Sequence, residues 1–142
     1  MAAIDVEIFL FLGEQWILVT VLMLLIYAYL FNERKKSGKS IGQHELVSLI
    51  NSGEAVLVDV RAANDFSQGH IQGAINIPHT KMSNRFVELE KEKSKIVVLT
   101  DQYGQHAPSA GKLLMAKGFD VRRLNGGMIE WKEQNMPVVR KK

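Results

Sequence analysis

The 142-residue chain has no cysteine, and that absence excludes more chemistry than any other feature of its composition. Without a thiol there is no disulfide framework, no cysteine-ligated zinc or iron–sulfur cluster, and no thiolate nucleophile. Charge of one sign is also missing locally. No Lys or Arg precedes Phe31, where only Asp5, Glu7 and Glu14 are charged. Prolines number 3, too few for a proline-rich linker, and the 11 glycines follow no period, so collagen-like sequence is excluded. No HxxxH or similar spacing links the histidines, and no metal site or cofactor is expected. The net charge is +3. The cations are scattered apart from residues 34–39 and the Arg140-Lys141-Lys142 end, so nucleic acid is not an expected partner.

What is present divides the chain sharply. Residues 16–31 read WILVTVLMLLIYAYLF, with no charge. As a helix this run covers about 24 Å, and Ile8 to Gly13 extends it toward the thickness of a hydrocarbon core. Trp16, Tyr27 and Tyr29 lie toward its ends, as interface aromatics do. A buried core helix would carry a polar stripe, and a signal peptide would have a basic start and a small-residue cleavage site; this segment has none of these. The expected organisation is an acidic N-terminus over 1–7, a transmembrane helix over 8–32, a basic linker over 33–39, a domain over 40–137 and a basic tail over 138–142. Arg34, Lys35, Lys36 and Lys39 follow the span, and they form an expected lipid-facing cluster. The positive-inside rule puts the domain in the cytoplasm and the N-terminus outside, as a single-pass protein of the inner or plasma membrane.

Beyond residue 40, short apolar runs alternate with helical patterns. Helices are expected over 43–51, with Leu46, Leu49 and Ile50 on one face and Gly42 as N-cap, and over about 62–67. Others are expected from Ser83 to about 91, from Pro108 to about 117 with Gly118 as its stop, and over 128–134. Strands are expected over 55–60, near 73–78, over 96–100 and over 121–124. This alternation implies a parallel α/β sheet covered on both faces, with ligands bound beyond the carboxyl ends of its strands.

Asp59 and Arg61, then Asp65-Phe66, Gly69-His70-Ile71, Gly73-Ala74 and Asn76-Ile77-Pro78 form one ordered set. Gly118-Phe119, Leu124-Asn125-Gly126-Gly127 and Trp131 form another. Together they resemble the opening and closing signatures of rhodanese-like domains, and with the N-terminal span the chain is similar to bacterial membrane-anchored, single-domain members. The resemblance implies a five-stranded parallel sheet with helices on both faces. It also implies transfer of sulfane sulfur through a cysteine persulfide, on a loop directly after the central strand, from donors such as thiosulfate. The family loop reads Cys-x-x-Gly-x-Arg-Ser. Aligned on Gly104, this chain has Asp101, Gln102, Tyr103, Gly104, Gln105, His106 and Ala107, so Asp101 takes the cysteine position and His106 the arginine.

A carboxylate cannot hold a second sulfur as a soft thiolate does, so no catalytic residue for sulfur transfer is expected. Three readings of the loop stay open. Asp101 fills the anion cradle as a built-in ligand; the loop binds a small anion or metabolite; or Asp101 and His106 pair for hydrolysis, for which the loop offers only Tyr103 as nucleophile. Asp59 is expected to fix the turn to Arg61 and Asp65, and His70 to hold the turn from Gly69 to Gly73. Trp131 is expected in the core, His44 in solvent and His79 without a partner. The expected role is a membrane-tethered interaction, scaffold or regulatory module with a protein partner. The alternative is a sulfur-transfer-related protein that binds sulfur anions or assists a separate thiol enzyme.

Overall fold

A computed structural model describes residues 2–141. The chain divides into two units, 1–33 and 34–142. The first is helical: α1 (Ala2–Glu14) and most of α2 (Trp16–Lys35). The expected continuous span over 8–32 is instead broken at Gln15, the one described residue of the segment outside the two helices. The hydrogen bonds from Gln15 N–H to Phe11 O (2.9 Å) and from Val19 N–H to Gln15 O (3.0 Å) carry the helical pattern across it. Helix α2 is long and apolar enough to cross a membrane, and none of its residues is buried by protein. Thr20, its one polar residue between Trp16 and Phe31 apart from the aromatics, donates to Trp16 O at 2.7 Å, so its hydroxyl is satisfied within the helix.

The second unit is a five-stranded parallel sheet in the order β1-β5-β4-β2-β3, as the family resemblance implied. The strands are β1 (Lys39–Ile41), β2 (Ala55–Asp59), β3 (Ile75–Asn76), β4 (Ile96–Thr100) and β5 (Asp120–Leu124). The period-2 geometry of a strand splits its side chains between two cores. Along β4, Val97 and Leu99 face one core, with Leu114 of α6 (Ala107–Ala116) and Met82 of α5 (Met82–Arg85). Val98 faces the other, with Leu46 of α3 (Gln43–Asn51) and Trp131 of α7 (Gly127–Glu133). The remaining helix, α4 (Ala63–Gln68), follows β2.

Three local expectations need correction. Residues 33–39 are not a free linker: α2 runs to Lys35, Ser37 and Gly38 are buried, and β1 starts at Lys39. This strand escaped notice because three residues with one apolar side chain carry no periodic signal. The strand expected near 73–78 shortens to Ile75–Asn76. The helix expected from Ser83 begins at Met82 and passes into a 3-10 turn over Phe86–Glu92. Gly42 is the N-cap of α3 as expected, in extended conformation, and its carbonyl accepts from Leu46 N–H at 3.0 Å. At the end of α6 the expectation holds: Gly118 has φ +88°, its N–H meets Met115 O, and Phe119 N–H meets Leu114 O, closing the helix as glycine does in a left-handed stop.

Candidate functional site

In this strand order, the chain leaves β2 toward β3 on one side, while β4 and β5 lie on the other. The crevice outside the carboxyl ends of β2 and β4 is therefore the topological switch point, where open α/β sheets bind ligands. Asp59 ends β2 and pairs in register with Thr100, which ends β4. The two site segments, 59–61 and 101–107, leave from these neighbouring strand ends.

After β2, Asp59 is fully buried and Arg61 nearly so. Asp59 Oδ1 accepts from Arg61 N–H (3.0 Å) and from Arg61 Nε (3.0 Å), and Oδ2 accepts from Arg61 Nη2 (2.7 Å). Arg61 Nη2 also donates to Gly69 O (2.8 Å), and Nη1 donates to Gln102 Oε1 (3.3 Å), which ties the first segment to the second. Asn76 donates its amide to the carbonyls of Asp59 (3.0 Å) and Arg61 (2.9 Å). The ion pair is thus held by further hydrogen bonds, the condition under which a buried pair is tolerated.

After β4, Asp101 is 2% exposed. Its Oδ1 accepts from Gly104 N–H, and its Oδ2 accepts from His106 N–H (2.6 Å) and Ala107 N–H (2.8 Å). The loop needs a left-handed residue to fold back over the carboxylate, and Gly104 supplies it at φ +88°. Ala107 opens α6, so Asp101 meets the positive end of that helix as well as the loop amides. The loop is pinned from the far side by α7: Met128 N–H donates to Asp101 O (2.7 Å) and Ile129 N–H to Gln102 O (3.1 Å). Gly127 permits that approach. A Cβ there would stand 2.5 Å from Asp101 O, and its φ is +62°.

Over the loop lies a cleft of about 270 Å³ lined by Arg61, Ala62, Asp65, His79, Asp101, Gln102, Tyr103, Gln105 and His106. Tyr103 is 62% exposed at its rim. Sequence reasoning missed His79 here. Its ring lies flat on that of His106, with centroids 3.9 Å apart and planes 3° from parallel, and Nδ1 is 3.4 Å from Val60 O. No spacing rule joins these two histidines; only the turn after Pro78 brings them together. Asp101 and His106 share the loop, but their contact runs through the His106 backbone amide, not a carboxylate–imidazole bond.

The other expected residues lie elsewhere. His70 reaches back to α4, with Nδ1 2.8 Å from Phe66 O and its ring stacked on Phe66 at 3.8 Å. Its backbone pairs with Val139 across an isolated antiparallel bridge. Trp131 is buried and donates Nε1–H to Pro137 O at 3.0 Å. Gly126 has φ +71° before α7, and His44 is exposed. Among the described residues, no group of three or more His, Cys, Asp or Glu side chains is placed to hold a metal ion.

A parallel sheet in this strand order, with an amide-lined loop between its central strand and a helix N-terminus, defines an α/β domain with its candidate site at the end of that strand. The chain matches the rhodanese-like domain family over residues 42–134, and it belongs to that family. It is 37% identical over 141 residues to the protein YibN of Escherichia coli strain K12, covering 96% of this chain and 99% of that one. It is 30% identical to the thiosulfate sulfurtransferase GlpE of Shewanella oneidensis, over 70% of this chain and 97% of the relative. Among solved structures, a rhodanese-related protein from Thermoplasma volcanium superposes with a TM-score of 0.67 at 26% identity, covering 72% of this chain and 99% of that one.

Proposed function

We propose that this chain is a membrane-tethered, catalytically degenerate rhodanese-like domain that faces the cytoplasm and serves as an interaction or regulatory module. The carrying observation is Asp101. It stands where the family places its cysteine, and its carboxylate takes the backbone N–H groups of Gly104, His106 and Ala107. A loop of this kind presents such donors to a reacting anion. Here the chain's own side chain occupies them. Sulfur transfer in the family runs through a thiolate, and this chain has no cysteine anywhere.

The orientation rests on Arg34, Lys35 and Lys36 following α2 with no cation before it. A protein partner would meet the rim of the cleft, where Tyr103 is exposed. A second reading, binding of a small sulfur anion or assistance to a separate thiol enzyme, is favoured by the cleft and by the paired imidazoles of His79 and His106 on its wall.

The test is a sulfur-transfer assay and a thermal melt on the purified full-length protein. The proposal expects no thiosulfate:cyanide transfer above background and no rise in Tm with millimolar thiosulfate or sulfite. A ligand of the folded state would raise Tm, so a clear rise would favour the second reading. Measurable turnover would overturn the degenerate assignment. A reporter fused after the last residue should be active in the cytoplasm, and periplasmic activity would reverse the orientation.

A further inference from the structure

We propose that the C-terminal segment 137–141 docks an extended, acidic peptide of a partner protein as an added strand. One apolar side chain of that peptide enters the groove beside the segment, and its acidic residues meet Arg140 and Lys141. This surface shares no residue with the cleft over Asp101, and it stands whatever that loop binds.

The segment is held in place at several points. Trp131 donates Nε1–H to Pro137 O at 3.0 Å. His70 and Val139 exchange both backbone bonds, His70 N–H to Val139 O at 2.9 Å and Val139 N–H to His70 O at 2.8 Å. Lys141 N–H donates to Ser67 O at 3.2 Å. In an antiparallel pair that exchanges both bonds, the residues on either side turn their own N–H and C=O the other way. Val138 and Arg140 therefore present these groups away from His70. Both residues are exposed, and among the described residues their N–H and C=O have no backbone partner. A free strand edge of this kind is a template for another chain.

Pro137 and Val139 also line a groove of about 420 Å³, together with Val47 and Ile50 of α3, Ile71, and Trp131 of α7. No charged residue lines it. Strand geometry decides what enters. The peptide residue opposite Val139 lies on the same face as Val139, which is the face that lines the groove. Added strands bind in this way, with backbone bonds for affinity and a pocket for alternate side chains. Charge then selects the partner. Arg140 and Lys141 are exposed at the end of the edge and have no ion partner among the described residues. A second copy pairing through the same segment would set cations beside cations, and like charges on neighbouring strands repel. Acidic residues in the peptide complement them instead.

The test uses the full-length protein in phosphatidylcholine nanodiscs and follows fluorescence anisotropy. The probe is a labelled peptide of alternating threonine and valine, with a central leucine and two glutamates on one side of it, made with the glutamates at either end. One of the two is expected to bind, and replacing its glutamates by lysines should weaken binding about tenfold. Arg140→Glu with Lys141→Glu should reverse that preference. Val138→Pro removes one outward N–H at an edge position, where proline is tolerated, and should weaken binding about fivefold. Hydrogen exchange at His70 and Val139 should be unchanged in Val138→Pro, which shows that the segment keeps its place. In the wild type, the bound peptide should slow exchange at Val138 and Arg140 and leave Gly104 to Ala107 unaffected. Equal binding of the acidic and lysine peptides, or no binding of any, overturns the docking edge and leaves the reading of Asp101 standing. Slower exchange at Gly104 to Ala107 in place of Val138 and Arg140 assigns the peptide to the cleft and overturns it as well. Self-association that Val138→Pro abolishes would give the edge to a second copy and overturn the acidic partner.

Discussion

Two aspartates stand at the ends of neighbouring central strands, both buried, and they are satisfied in opposite ways. Asp59 after β2 is answered by a side chain, the guanidinium of Arg61. Asp101 after β4 takes its hydrogen bonds from backbone amides. In the first case the carboxylate and its cation are one structural unit, and removing either leaves a buried charge. In the second, the donors belong to the loop and to the start of α6, and they remain in place whatever accepts from them. On the proposed reading, the difference separates a carboxylate that holds the fold from one that takes the place of a ligand.

The contrast is sharpest in the cost of truncation. Asp59→Ala should be the most damaging change, about 3–5 kcal/mol, because Arg61 is left charged and nearly buried. Chemical denaturation would measure it. Asp101→Ala should cost less, about 1–3 kcal/mol, the cost of bare buried donors. A surface pair sets the lower limit. Arg85 and Glu88 form an exposed ion pair, and the Arg85 hydrogen bond holds the Glu88 carboxyl below its ordinary value. That contribution is in place above the unfolded-state value of the carboxyl and fades as pH falls through the lower folded-state value. The pair is solvated on both sides, so Glu88→Gln should lower the neutral-pH Tm by no more than the error of the melt, and any difference should vanish in strong acid.

The same comparison shows how far the sequence could be read. The buried strands 55–59 and 96–100 announce themselves as apolar, β-branched runs, and the ordered glycines fix where the turns fall. Asp101 is placed by the length of its loop between a strand and Gly104, both local features. Strand β1 is not legible, because its pairing with β5 is set by partners far along the chain. Nor is the stacking of His79 on His106, which the fold creates by bringing the turn after β3 against the loop after β4. The role of Gly127 was visible only as part of a family signature. The close approach of α7 to the Asp101 carbonyl supplies the physical reason for it.

The central claim, that the Asp101 carboxylate occupies an anion cradle, is tested most directly by a sulfate titration of Tm for the wild type and Asp101→Ala side by side. The account predicts that sulfate recovers part of the loss in Asp101→Ala by settling on the vacated amides, while the wild type gains nothing beyond the general effect of the salt. A neutral or stabilising Asp101→Ala, with equal sulfate responses in the two proteins, would contradict it.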